Sequence, residues 1–210
     1  MTHLYLIRHA ESLNAVQHRF GDLDLSPRGI RQAERLRDRL AATGEIAADV
    51  LIASTLRRAY QTAEIIAPAL GLPIIPDDEV QEMREGQAAG LSEEEFVQRF
   101  GRPDFEQNPF QPGAPEGESW PEFMLRVGRA LQRITREYAG KTIVVVCHGG
   151  VIDGSFIYFF GLNSLALPSV RFQTQNTSIT HWYYGASFPG ERAYWHLLCY
   201  NDACHLRDME

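Results

Sequence analysis

Two histidines in this chain each close a short apolar run, and each stands among groups that could handle an anion. One lies in Leu6-Ile7-Arg8-His9-Ala10-Glu11-Ser12, the other in Val146-Cys147-His148-Gly149-Gly150. A neutral imidazole is a competent nucleophile toward phosphorus, and a guanidinium fork suits phosphate oxygens. Arg57 and Arg58 add two cations at the predicted start of a helix. There they oppose the helix dipole, which destabilises the helix unless an anion sits nearby. Each feature also has an ordinary reading: a strand-end histidine with a structural hydrogen bond, and arginines paired with surface carboxylates. The choice depends on whether the fold brings these groups to one place.

The elements that must do so follow from hydrophobic patterning. Residues 3–8 and 142–147 read as buried strands, the second apolar and β-branched throughout, as a central strand covered on both faces should be. Residues 50–53, 72–75, 178–184 and 193–200 read as further strands. Residues 14–25 read as a polar loop. Ser26-Pro27 opens a helix that Gly44 stops, and Ser54 is expected to cap a helix over 55–70. Ser92–Glu95 and Ser119–Glu122 are capping boxes before two more helices, and a last helix runs over 151–160. The end of the chain, 201–210, is polar and expected to lie on the surface. This order predicts one α/β domain over 1–210: a three-layer sandwich with a mostly parallel central sheet, helices on both faces and a lid insertion at about 78–118. If the strands ending in His9 and His148 are central and parallel, both imidazoles share a crevice with Arg8 and the Arg57–Arg58 helix start. That is an anion site, in which one histidine attacks phosphorus and the other stabilises the transferring group.

Composition narrows the partners. The 210 residues carry a formal net charge of −7, which disfavours nucleic acid or an anionic membrane as a bulk partner. A small phosphorylated metabolite is still admissible, because a local arginine cluster outweighs the global charge at short range. Three cysteines without tight pairs argue against a disulfide framework and a thiolate metal site. The expectation is a cytoplasmic protein with no leader and no membrane span. A metal held by His9, Glu11 and His148 is disfavoured by the arginines beside them. The oligomeric state is left open.

Arg8-His9-Ala10-Glu11 resembles the Arg-His-Gly-Glu signature of the histidine phosphatase superfamily, in its phosphoglycerate-mutase-like branch. Leu25-Ser26-Pro27-Arg28-Gly29 is similar to the segment opening that family's first helix. Ser54-Thr55-Leu56-Arg57-Arg58-Ala59 with Thr62-Ala63 resembles its Ser-x-Leu-x-Arg-Ala-x-x-Thr-Ala motif. Glu82 with Gly86 and Gly90 looks like the segment carrying its general acid, and Gly117-Glu118-Ser119, Cys147-His148-Gly149-Gly150 and Asn201-Asp202 with His205-Leu206 add further matches. The resemblance implies a phosphohistidine formed on His9, with His148 beside it and Glu82 as acid and then base. It also implies Arg8, Arg58, Asn14 and Gly149 as phosphate ligands, and no metal or cofactor. There are departures. Ala10 replaces the usual glycine, Asn14 lies one residue nearer the nucleophile than the family's asparagine, and Gln87-Ala88-Ala89 fills the interval before Gly90. Arg19 is a further candidate for binding substrate.

The resemblance leaves three functions. A mutase must hold a second phosphate, yet Glu82-Met83-Arg84-Glu85-Gly86 lacks the mutase tyrosine and adds a carboxylate that would repel one if it faced the pocket. The favoured expectation is therefore a phosphatase of small phosphomonoesters, with an apolar leaving-group pocket drawn from Met83, Phe96, Phe100, Phe105, Phe110 and Trp120. The alternatives are a cofactor-dependent phosphoglycerate mutase and a non-catalytic module that binds phospho-ligands.

Overall fold

In a computed structural model, which describes residues 1–188 and 190–209, one mixed six-stranded sheet has helices on both faces. The chain runs β1 (Thr2–Arg8), α1 (Leu13–Gln17), α2 (Pro27–Thr43), β2 (Val50–Ser54), α3 (Arg57–Leu70) and β3 (Ile74–Asp77). It continues through α4 (Glu93–Phe100), α5 (Trp120–Glu137), β4 (Thr142–Cys147), α6 (Gly149–Phe160), β5 (Ile179–Gly185) and β6 (Tyr194–Asp202). Of the expected polar surface end, Glu210 lies outside the described residues.

The strand order is β3-β2-β4-β1-β5-β6. The first four strands are parallel, and β5 and β6 follow as antiparallel additions. Alternation along the two central strands divides the core in two. Leu4, Leu6, Ile143, Val145 and Cys147 face α5 and α6, whereas Ile7, Val144 and Val146 face α2 and α3. Every one of these side chains is fully buried. That explains why the β4 sequence shows no polar alternation. The remaining strand, β3, sits at the sheet edge, where Pro76 removes no ladder hydrogen bond that another strand needs.

Three local expectations are corrected. Leu13–Gln17 is a short helix, where a loop was expected. The third strand lies slightly later than 72–75, at Ile74–Asp77. Helix α3 begins at Arg57 with Leu56 as an N-cap that makes no side-chain cap bond, so Ser54 does not cap it. The Arg57 N–H is instead met by the Asp22 carboxylate at 2.7 Å, an anion at a helix N-terminus. The arginine pair is thereby resolved: Arg57 forms a surface pair with Asp24, and Arg58 turns inward and is 7% exposed.

Close approach at one glycine fixes α2 against the end of β1. A Cβ on Gly29 would lie 1.9 Å from the Glu11 carbonyl oxygen, so only glycine lets the first turn of α2 press there. The same turn is capped by Ser26 Oγ, which accepts from Gly29 N–H at 2.9 Å and donates to Glu11 Oε1 at 2.6 Å.

Candidate active site

The β1–β4 pairing sets the centre of the site. Arg8 lies opposite Cys147 in the parallel register, and His9 N–H donates to the Cys147 carbonyl at 2.9 Å. The next residues, His9 and His148, therefore leave the sheet side by side, with ring centroids 5.0 Å apart. His9 is 7% exposed and His148 is fully buried.

Burial and two arginines decide their charge. Desolvation lowers His9 to about 3, with Arg58 and Arg8 adding to the effect. Burial likewise holds His148 well below the ordinary histidine range, and His9, Arg58 and Arg8 push the same way. Both rings are neutral near pH 7. His9 Nδ1 lies 2.6 Å from the Ala10 carbonyl oxygen, which can only accept, so Nδ1 carries the proton and Nε2 keeps its lone pair. His148 Nε2 meets Ser54 Oγ at 2.8 Å, and its Nδ1 is buried with no protein partner. Ser54, expected as a helix cap, is thus spent on orienting a histidine.

The cations gather around the rings. Arg8 donates through Nη1 to the Thr174 carbonyl, while its buried Nε has no protein partner. Its guanidinium passes close to Gly149, whose virtual Cβ would lie 3.7 Å from Nε. Arg58 reaches the Gly21 carbonyl at 3.4 Å. Glu82 accepts from Gly150 N–H at 3.1 Å and from Met83 N–H at 3.0 Å. A Cβ on Gly150 would lie 2.3 Å from Glu82 Oε1, so this glycine admits the carboxylate to the start of α6.

The structure thus brings Arg8, His9, Arg58, Glu82, His148 and Gly149 together. Asn14 makes other contacts. Its amide donates to the Arg19 and Gly21 carbonyls at 3.1 and 2.8 Å and accepts from Leu23 N–H at 3.1 Å, bracing the segment that follows α1. Arg19 donates to the Gly90 carbonyl at 2.6 Å, tying that segment to the residues after Glu82. Ala10 is fully buried and is not among the residues of positive φ, so no glycine is needed there. Glu11, which the disfavoured metal site would need, gives its carboxylate to Ser26 and Arg28.

Four residues support the site, of which Asn176 and Arg126 carried no signal in the sequence motifs. Asn176 donates to the His9 carbonyl at 2.8 Å. Thr62 Oγ1 accepts from Ala10 N–H at 3.0 Å and donates to the Arg58 carbonyl at 2.7 Å, so one hydroxyl registers the residue after His9 against α3. Glu85 accepts from Gly21 N–H at 2.6 Å; burial raises its carboxyl above the usual range, and the nearby Arg58 works against that. Arg126, 7% exposed on α5, donates to the carbonyls of Glu79, Gln81 and Glu82 at 2.8–3.1 Å and pairs with Glu118 at 2.6 Å. A buried arginine inside an amphipathic helix was the available signal, but only the fold reveals the carbonyls it gathers.

Two cavities meet at Gly150. One, of about 340 Å³, is apolar and lined in part by Phe20, Met83, Phe96, Trp120 and Phe123 beside Glu82. Three of the expected aromatics are absent from that lining: Phe100 packs on Phe96, Phe105 lies near Gly113, and Phe110 is 66% exposed. The other cavity, of about 700 Å³, is polar and borders Arg8 and Gly149.

Comparison with known proteins agrees with this geometry. The sequence profile of the histidine phosphatase superfamily (branch 1) matches residues 4–195. Phosphoglycerate mutase-like protein 4 of Arabidopsis thaliana is 33% identical over 98% of this chain and 87% of its own length. Phosphoserine phosphatase 1 of Hydrogenobacter thermophilus is 32% identical over 86% of this chain and 87% of its own. Among solved structures, Bacillus stearothermophilus YhfR superposes with a TM-score of 0.79 at 28% identity, covering 98% of this chain and all of that one.

Two tests follow. Replacing Arg126 by Met leaves Glu118 unpaired and three carbonyls unmet, so urea unfolding should show a loss of about 3–5 kcal/mol. The second concerns pH. Folded His9 titrates at about 3 and an unfolded histidine at about 6.5. Below 6.5 the unfolded chain therefore binds a proton that folded His9 refuses, and stability falls as pH drops from 6.5 toward 3. A His9→Asn variant should lose less stability than wild type between pH 6.5 and 4 in thermal melts; parallel declines would show that His9 is not held neutral.

Proposed function

This chain belongs to the histidine phosphatase superfamily, branch 1, and its relatives there include phosphatases; we propose that it hydrolyses small phosphomonoesters through a phosphohistidine on His9. The observation that carries the reading is the neutral His9, its Nδ1–H committed to the Ala10 carbonyl and its Nε2 lone pair left for attack.

In the first step Nε2 attacks phosphorus and the ester P–O bond breaks. Arg8, Arg58 and the start of α6 at Gly149 offset charge on the equatorial oxygens. With Ser54 Oγ–H donating to His148 Nε2, His148 carries its proton on Nδ1 and donates to one of those oxygens. Glu82 gives the departing alkoxide its proton. In the second step water attacks phosphorus, Glu82 takes the water's proton, the P–N bond breaks, and inorganic phosphate leaves with His9 restored.

Glu85 favours hydrolysis over mutase chemistry. Its carboxylate is held at Gly21 beside Arg58, within the lining of the cavity next to Glu82, where it opposes a second phosphate group. The phosphoserine phosphatase among the relatives agrees with a small phosphorylated metabolite as substrate.

The assay is release of inorganic phosphate from p-nitrophenyl phosphate and from 3-phosphoglycerate, with chelator present. Wild type should release phosphate, and His9→Ala should lose at least about 10³-fold. Isomerisation of 3-phosphoglycerate without release would instead identify a mutase, and neither reaction a binding module. Because a leaving alkoxide needs a proton and p-nitrophenolate hardly does, Glu82→Gln should lower kcat far more for 3-phosphoglycerate than for p-nitrophenyl phosphate, and equal losses would remove Glu82 as the acid.

A further inference from the structure

The mechanism leaves one half-buried acid unused. Asp153 sits one helical turn beyond Gly150 on α6 and lines the polar cavity with Arg8, Gly149 and Gly150. One of its carboxylate oxygens is buried with no hydrogen-bond partner, and among the described residues no cation lies within ion-pair distance of it. Leaving such a group unmet is unfavourable, and nothing in the packing of α6 requires a carboxylate there. Burial and nearby Glu82 push Asp153 up to about 7, against the pull of Arg8.

The opposite wall of this cavity is built and held. Asn201 Oδ1 accepts from Gln175 N–H at 2.7 Å, and its Nδ2 donates to the Gln173 carbonyl at 2.9 Å. The Thr174 carbonyl between them receives Arg8. The cavity is thus lined by an arginine, a carboxyl without an ion-pair partner and a braced polar wall.

We propose that Asp153 is a specificity-determining residue that receives the cationic end of the leaving group, so that the preferred substrates are small phosphomonoesters bearing an ammonium group. This rests on the reading of His9 and Arg8 as the phosphate site. A phosphate dianion bound at Arg8 repels an unpaired Asp153 carboxylate. A substrate with only anionic or neutral groups must therefore bind against that repulsion or force a proton onto Asp153. An ammonium placed between them, against the carboxylate oxygen that faces the cavity, removes the repulsion. Discrimination then comes from both attraction and rejection.

The test compares 2-aminoethyl phosphate with 2-hydroxyethyl phosphate, which are alike in size and differ in the ammonium. Wild type should favour the amine in kcat/KM by roughly tenfold or more, as expected for one charge-assisted contact. In Asp153→Asn, and in Asp153→Ser as a second variant, the ratio should fall to near one. A wild-type ratio near one, or a preference that survives both substitutions, overturns the proposal. If wild type hydrolyses neither ester, the phosphatase reading fails by itself. The ratio of the two dissociation constants, from calorimetry on wild type and Asp153→Asn, then decides the role of Asp153 by the same criterion.

Discussion

The register between β1 and β4 is the contact on which the site depends. Arg8 opposite Cys147, locked by the hydrogen bond from His9 N–H to the Cys147 carbonyl, puts two imidazoles at the same level on the sheet's carboxyl edge. A slip of one residue would send one ring to the opposite face. Such a slip is disfavoured because both faces of the pair carry buried apolar side chains, fitted to α5 and α6 on one side and to α2 and α3 on the other. The hydrophobic core therefore sets catalytic geometry as well as stability.

That placement has an electrostatic consequence. Two buried histidines held 5.0 Å apart beside Arg8 and Arg58 cannot take up protons readily, and both rings stay neutral. Neutrality is what a nucleophile toward phosphorus needs, so in the proposed mechanism the burial that destabilises the protein in acid also prepares His9. The positive charge of the site is thereby carried by guanidinium groups, which stay charged at any working pH.

Around this centre runs a second tier of contacts whose role is placement. Asn176 and Thr62 hold the backbone on either side of the His9–Ala10 peptide bond. Arg126 collects the carbonyls of the Glu82 loop, and Gly150 leaves room for the carboxylate. The segment after α1, held by Asn14, supplies Gly21 to both Arg58 and Glu85. Substitutions in this tier would act on the reaction through position.

Some of this was legible in the residues alone. The apolar runs of β1 and β4, the Ser-Pro start of α2 and the capping boxes before α4 and α5 are local signals, and they placed the main elements because local sterics and hydrogen bonding set them. Histidine, arginine and glutamate at the ends of those elements announced phosphate chemistry, and the family resemblance ordered them. What the residues could not reveal were contacts between segments far apart in sequence. Ser54 serves His148 rather than a helix, Asn14 spends its amide on the segment after α1, and Arg126 and Asn176 reach across the fold to the site. A side-chain amide, hydroxyl or guanidinium has many equivalent partners in an unfolded chain. Which carbonyl or ring it meets depends on how sheet and helices pack, so sequence set the chemistry available and tertiary structure decided how each polar group was spent.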